Sequence, residues 1–334
     1  MIKVGLIGCG FMGGMHAACY AALADLGVKV TAVADVRPEY AQKLANGAAV
    51  YATGMELIEK ADVDVIDICL PTDLHAAHAV AAMKAGKNVF VEKPIALKDE
   101  DLELILKTEA ETGAKVQVGQ VIRHWTEYVW LKKAVDAGTF GKIRHAMFRR
   151  LSSRPEWAWE GWIHQVDKSG GVAVDMHVHD VDFIRYIMGE PDVVKAHAHR
   201  DADGVIQQIN AVYGYGKDVS VAVESGWDYP ADFPFTADFR VKFEKATVIG
   251  GGGVVNVYPV GGTAYQAELE EEFKGDNDIG GNISSLGGYY NELKYFVEGL
   301  QGKNDLSVAT VAEAVKSVQL VKREIEAAGG LICK

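Results

Sequence analysis

Cysteine is scarce: four in 334 residues, at Cys9, Cys19, Cys69 and Cys333, with no C-x-x-C pair among them. Widely spaced and mostly set in apolar stretches, they read as reduced, buried thiols of a cytoplasmic protein. Positive charge is also short. Lys and Arg number 34 against 46 Asp and Glu, giving a formal charge of −12, which repels phosphate backbones and anionic membrane surfaces and disfavours nucleic acid as a partner. No apolar run approaches the ~18 residues of a membrane span. The opening residues, Met1 to Gly8, alternate like a strand and run into glycines without the apolar core of an export signal. There is no internal repeat, and no low-complexity tract beyond the Gly250–Gly253 turn. What remains is 49% hydrophobic and 24% charged, a composition that folds, in a length that suits about two domains.

The first third alternates strand-like and helix-like segments, the pattern of parallel strands joined by crossover helices. Strands are expected at 2–8, 28–34, 63–70, 88–92 and 115–122, with helices at 14–26, 73–85 and 98–112. Beyond residue 122 the texture changes. A helix at 126–137, a strand at 142–151 and a Trp-rich loop precede one helix over about 171–188. Strand-like runs then fill 192 to about 273 without intervening helices, which predicts a mostly antiparallel sheet. Helices return at 289–300 and 308–328. The expected fold class is α/β: a doubly wound Rossmann unit over 1–122, then a unit over 123–334 that holds substrate and subunit contacts, with a late helix free to pack back on the first.

Gly8-Cys9-Gly10-Phe11-Met12-Gly13 is a G-x-G-x-x-G that follows the first strand and opens the first helix, the context a dinucleotide fingerprint requires. Gly8 permits the turn, Gly10 lets the backbone approach a pyrophosphate, and Gly13 allows helix and strand to pack closely. The helix N-terminus, beginning near Phe11 and Met12, offers free amides to the phosphates. Asp35 ends the second strand 22 positions after Gly13, where an acid binds ribose hydroxyls and repels a 2′-phosphate. That favours NAD over NADP, although Arg37 could hold such a phosphate if Asp35 turned aside.

Ligands of open α/β sheets sit outside the carboxyl ends of the strands. That rule singles out Pro71-Thr72 after the third expected strand and Glu92-Lys93-Pro94 after the fourth. Oxidation of an alcohol needs a base for the hydroxyl proton, and a lysine serves if burial and a nearby cation lower its pKa. On the helix beginning Gly170-Gly171, apolar residues 174, 178, 181, 184 and 188 form a stripe with Asp175, His179 and Asp182 beside it. Asp175 can fix the tautomer of His179 or share vicinal hydroxyls with it. His177 and His179 suggest metal ligands, but two residues apart on a helix they diverge by about 200°, so no metal is expected. Trp157, Trp159 and Trp162 crowd one loop, where indole faces could stack on sugar rings; Trp162 is taken as the substrate contact.

Together these motifs, with His75 and Gly86-Lys87, resemble in order and content the glucose–fructose oxidoreductase/inositol dehydrogenase (Gfo/Idh/MocA) family. The resemblance implies a C-terminal α/β domain with a large open sheet, and homo-oligomers, dimers or tetramers, built through it. It implies Lys93 as the catalytic lysine, Asp175 and His179 as its substrate-binding and proton-transfer partners, and His75 near the nicotinamide; His177 has no role in the motif. The expected function is oxidation of a secondary hydroxyl of a cyclic polyol, sugar or sugar derivative by an NAD(P)-dependent dehydrogenase, an inositol being the leading substrate. Two other readings stay open: a glycosidase using held NAD for transient oxidation and elimination, and a non-catalytic dinucleotide sensor.

Overall fold

The computed structural model describes residues 1–271, 273 and 286–330, and Cys333 lies outside them. Strand β1 (Ile2–Ile7) is buried from Val4 onward, as a strand covered on both faces by helices must be. The chain continues through α1 (Phe11–Ala22), β2 (Val28–Ala34), α2 (Pro38–Ala45), β3 (Ala49–Tyr51), α3 (Gly54–Lys60) and β4 (Val65–Ile68). It then forms α4 (His75–Lys84), β5 (Asn88–Glu92), α5 (Asp99–Thr112) and β6 (Val116–Gly119). These strands pair in parallel in the order β3-β2-β1-β4-β5-β6. The winding reverses between β1 and β4, which opens a crevice beyond their carboxyl ends. The strand β3 escapes sequence periodicity because it is three residues long, with two of them exposed.

The second unit begins with α6 (Thr126–Asp136) and β7 (Ile143–Ser153), then the short helices α7 (Val166–Ser169) and α8 (Gly171–Asp175), and α9 (Val178–Met188). Seven strands follow: β8 (Val193–Arg200), β9 (Ile206–Tyr215), β10 (Val219–Tyr229), β11 (Thr236–Phe243), β12 (Ala246–Gly251), β13 (Val254–Pro259) and β14 (Tyr265–Gln266). With β7 they form a sheet in the order β14-β13-β12-β11-β7-β10-β9-β8. Every neighbouring pair is antiparallel except β7 with β10, so the mostly antiparallel expectation holds. Alternation buries Phe148, Ile209, Ala211 and Tyr213 and leaves Val212, Ile249 and Tyr258 exposed, the mark of a sheet with one covered face.

One expectation is corrected. The helix over 171–188 is broken at Met176 and His177, because the Val172 carbonyl accepts from Met176 N at 3.1 Å and again from His177 N at 2.9 Å. The ladder slips by a residue, an i→i−5 bond of the kind that interrupts helices at functional sites. The apolar stripe survives the slip: Val174, Val178, Val181 and Ile184 are all buried.

The last helices, α10 (Gly287–Leu300) and α11 (Val311–Ala327), return to the first unit. α10 lies along α1, and between the two helices Ala309 O accepts from Val118 N of β6 at 3.2 Å. A buried ion pair fastens this junction. Arg123 donates from Nε and Nη2 to Asp182 of α9 at 2.7 and 2.8 Å, and Ser317 of α11 donates to the same carboxylate at 2.7 Å. Removing one partner of such a pair leaves a buried charge uncompensated. Arg123→Ala is therefore expected to cost about 3–5 kcal/mol in urea unfolding, and an Arg123→Met/Asp182→Leu double variant to recover much of it; equal losses in both would show that charge compensation is not what matters there.

Candidate active site

The crevice is built first by glycine sterics. Gly8 sits at φ +89°, and a Cβ there would lie 2.3 Å from the Cys69 carbonyl oxygen; a Cβ on Gly13 would lie 1.9 Å from Gly8 O. Both positions therefore exclude a side chain, and α1 starts directly on the strand end with its first amides facing the crevice. A Cβ on Gly10 would meet nothing closer than Arg37 Nη2 at 3.7 Å, so the space above Gly10 is open. This is a cradle shaped for phosphate oxygens.

Asp35 lies at the end of β2 and is nearly buried. Its carboxylate accepts from Cys9 N at 2.8 Å, from Arg37 N at 2.8 Å, and from Arg37 Nε and Nη2, both at 2.9 Å. Burial opposes ionisation, but the Arg37 hydrogen bonds outweigh it and hold the carboxyl below its usual range. The guanidinium lies over the Tyr40 ring at 3.9 Å and faces Trp159 at 4.9 Å. Phe11 and Trp157 face each other at 5.4 Å. Two indoles of the second unit thus close over the cradle end of the first, a contact that sequence reading, which took Trp162 of that loop as the substrate contact, does not foresee.

From this end a cavity of about 810 Å³ runs to Lys93, Asp175, His179 and Trp162. Lys93 follows β5, and its Nζ donates to the Asp175 carbonyl at 2.7 Å and to Oδ1 at 3.3 Å. An amine with two acceptors is satisfied as an ammonium and keeps a third N–H free. Asp175 thus pairs with Lys93, while no hydrogen bond joins it to His179 among the described residues. His179 Nδ1 is buried without a hydrogen-bond partner among the described residues. Burial, then the charges of Lys93 and Arg150, hold its pKa well below the usual imidazole value. Arg150 borders the same cavity and is itself neutralised by Asp180, with Nε to Oδ2 at 2.7 Å.

Of the other residues singled out in the sequence, Gly8, Gly10, Phe11, Met12, Asp35, Arg37, Pro71 and Glu92 border the cavity. Gly13 packs beneath it. Thr72 and His75 are buried outside it: His75 Nδ1 and Nε2 lie 2.8 Å from the Pro94 and Leu70 carbonyls, so this histidine braces two turns against each other instead of reaching into the cavity. His177 and His179 part company as helix geometry requires. His177 is wholly buried, with Nδ1 2.8 Å from Ser225 Oγ and Nε2 3.1 Å from Glu324. Asp182 serves the Arg123 pair. Burial pushes the Cys9 and Cys19 thiols up to about 12, which makes them inert. Tyr289 of α10 borders the cavity too; it carries no sequence signal because nothing local marks which face of α10 meets the crevice.

Comparison with known proteins gives these residues a context. Residues 2–120 match the oxidoreductase family with an NAD-binding Rossmann fold, and residues 128–249 match the Gfo/Idh/MocA C-terminal domain. Inositol 2-dehydrogenase of Rhizobium meliloti (strain 1021) is 34% identical over 193 residues, 58% of this chain and 56% of that protein. Inositol 2-dehydrogenase of Salmonella typhimurium (strain LT2) is 30% identical over 260 residues, 72% of this chain and 76% of that one. The match thus spans little more than half of the Rhizobium protein. Among solved structures, levoglucosan dehydrogenase in complex with NADH and levoglucosan superposes with a TM-score of 0.81 at 21% identity, over 98% of this chain and 97% of the other. UDP-N-acetylglucosamine 3-dehydrogenase from Acidithiobacillus ferrooxidans gives 0.79 at 19% identity, over 99% of each. These two likenesses concern the fold. Gly10→Ala, whose Cβ would stand in the open space above the turn without meeting the protein, should weaken dinucleotide binding by about tenfold or more in a fluorescence titration, with the melting transition largely retained; unchanged affinity would count against the cradle.

Proposed function

The chain belongs to the Gfo/Idh/MocA oxidoreductase family, and on that premise we propose that it is a dehydrogenase that oxidises a secondary hydroxyl of a cyclic polyol or sugar with NAD. The observation that carries this is the meeting of Lys93, Asp175 and His179 in the cavity that begins at the Gly8–Gly13 cradle. The cradle fits a dinucleotide, since its two closest glycines leave no room for a Cβ and its mouth is open above Gly10. Gly8, Gly10, Asp35 and Arg37 would hold the nucleotide, and bound NAD supplies a hydride acceptor at its nicotinamide.

The residues then divide the work. The Lys93 ammonium, held by Asp175, directs its remaining N–H to the reacting oxygen and stabilises negative charge developing there. His179, kept neutral and bordering the cavity, takes the hydroxyl proton. Asp175 accepts a hydrogen bond from a neighbouring hydroxyl, which orients the ring. Trp162 and the loop that carries it keep water from the reacting carbon. An inositol is the leading substrate, in keeping with the names of the two curated relatives. NAD is favoured over NADP because the Asp35 carboxylate stands at the adenosine end with both arms engaged by Arg37. The exposed Val212, Ile249 and Tyr258 on the open sheet support a homo-oligomer formed through that face.

The test is a spectrophotometric screen of NAD+ and NADP+ reduction against inositols, aldoses and glycosides. Reduction of NAD+ by an inositol or sugar is expected, and Lys93→Ala should lower kcat/KM by about 10²–10⁴-fold; comparable turnover by the variant would sink the mechanism. Glycoside cleavage without net NADH would favour a glycosidase, and silence across the panel a sensor. Because the His179 pKa is lowered, its base form persists as pH falls through 6.5, so the acid limb of kcat/KM should lie below 6.5 and vanish in His179→Gln. A limb centred above 7 would assign the proton to another group. Asp35→Ser, which frees Arg37, should reduce the NAD+ to NADP+ preference by about tenfold or more, measured as the ratio of kcat/KM values.

A further inference from the structure

Beneath the Lys93 end of the cavity lies a set of ionisable groups that the reaction above does not use. His16 is carried on α1 just past the cradle and is fully buried. Its Nδ1 lies 2.9 and 3.1 Å from the two Asp67 oxygens on β4, and its Nε2 lies 3.1 Å from Glu92 Oε1 at the end of β5. Glu292 comes from α10 and is 1% exposed, and neither of its carboxyl oxygens has a hydrogen-bond partner among the described residues. The nearest ligand atoms of His16, Glu92 and Glu292 all lie within 4.8 Å of one another. Of the four residues, Glu92 is the one that borders the cavity.

Geometry fixes the charges. A neutral imidazole has one N–H and would turn a lone pair on one of its two carboxylate neighbours, whereas an imidazolium donates to both. Burial opposes that charge, but Asp67 overrides it and holds the His16 pKa well above the ordinary value. A bare carboxylate without donors is strongly penalised in a dry site, and two carboxylates this close do not both ionise. Glu92 has two donors, His16 Nε2 and the Lys93 amide at 3.1 Å, while Glu292 has none. Glu292 is therefore the neutral member; burial and then the Glu92 charge push its carboxyl well above the usual range. The ring nitrogens stand about 3 Å from oxygen, hydrogen-bond distance instead of the ~2 Å of a metal bond.

The count is one cation, two anions and one neutral acid. Around it, Lys93 and Asp175 cancel, as do Arg150 and Asp180. Cys69, whose Sγ lies 3.3 Å from His16 Nδ1, is a neutral thiol, and Tyr20 and Tyr289 are neutral phenols. Resting on the reading of this cavity as a nicotinamide dinucleotide site, we infer that Asp67, His16, Glu92 and Glu292 together fix one uncompensated negative charge at the nicotinamide end, which favours the oxidised, cationic ring over the reduced, neutral one. Glu92 is the positioning and charge-bearing member, and Glu292 keeps the total at minus one by holding its proton.

The experiment measures dissociation constants of NAD+ and NADH by calorimetry for the wild type, Glu92→Gln, Glu292→Gln and Asp67→Asn, with melting curves as the check on folding. Glu92→Gln should weaken NAD+ relative to NADH by about tenfold or more. Glu292→Gln, an amide in place of a neutral acid, should leave that ratio within about twofold. Asp67→Asn removes an anion together with the His16 proton that it holds, so the sum stays at minus one and the ratio should stay within about twofold; Glu92→Ser removes the Glu92 charge with a different side chain and serves if Glu92→Gln does not fold. Equal weakening of both nucleotides by Glu92→Gln, or by Glu92→Ser where it stands in, would overturn the inference and leave the dinucleotide reading intact. A wild type that binds neither nucleotide would overturn both, and stoichiometric metal in the purified protein would overturn the charge assignment.

Discussion

The contact between Lys93 and Asp175 is the constraint on which the site depends. Lys93 belongs to the turn after β5 and Asp175 to the end of α8, so a single amine joins the parallel sheet to the broken helix of the second unit. Both side chains are mostly shielded, at 15% and 13% exposure, which strengthens their attraction relative to a surface pair. One of the two bonds goes to the Asp175 backbone carbonyl, and that carbonyl lies at the slip in the ladder. The interruption at Met176 and His177 has a plain consequence: it sends His177 into the interior and leaves His179 beside the amine.

Legibility in the sequence followed the range of the forces involved. The Gly8–Gly13 cradle was readable because a Cβ at two of its positions collides with backbone, a local steric fact that permits only glycine. The parallel strands were readable as apolar runs, Lys93 through the rule that ligands sit at strand ends, and Asp175 and His179 from their place beside the apolar stripe of their helix, all three together with the family resemblance. The helix slip was not readable, because it follows from what His177 meets on β10 and α11, residues distant in the chain. For the same reason the sequence overrated His75, whose type suits a cofactor contact but whose two nitrogens are spent on carbonyls. Of the three tryptophans of one loop, Trp162 was taken as the substrate contact, and Trp157 and Trp159 face Phe11 and Arg37 across the junction, which nothing local in the sequence marks. His16 and Glu292 left no trace at all: each is one polar residue in an apolar helix until tertiary packing supplies its neighbours.

The interior carries an unusual load of paired charge. Arg123 with Asp182 and Arg150 with Asp180 are both buried or nearly so, and His177 lies against Glu324 in the same interior. Such pairs contribute little net stability compared with apolar packing of equal volume, but they tolerate few alternative arrangements. Their positions are telling. The Arg123 pair holds the link between the two units, the Arg150 pair stands at the wall of the cavity, and the His177 set, which includes Ser225 and the Tyr213 hydroxyl on Glu324, pins the inner side of the helix slip. Ser225, His177 and Glu324 have the composition of a hydrolytic triad, yet all three are inaccessible.

The return of α10 and α11 to the first sheet bears on how the molecule can breathe. A strap running from the end of the second unit to α1 and the outer edge of β6 resists the wide swing of two lobes about one connector. The wall over the cavity is instead the segment bearing Trp157, Trp159 and Trp162, where Glu160 and Gly161 both adopt left-handed backbone angles, so an entering molecule meets three indoles on one short stretch of chain before it meets the strapped body that carries the reacting groups.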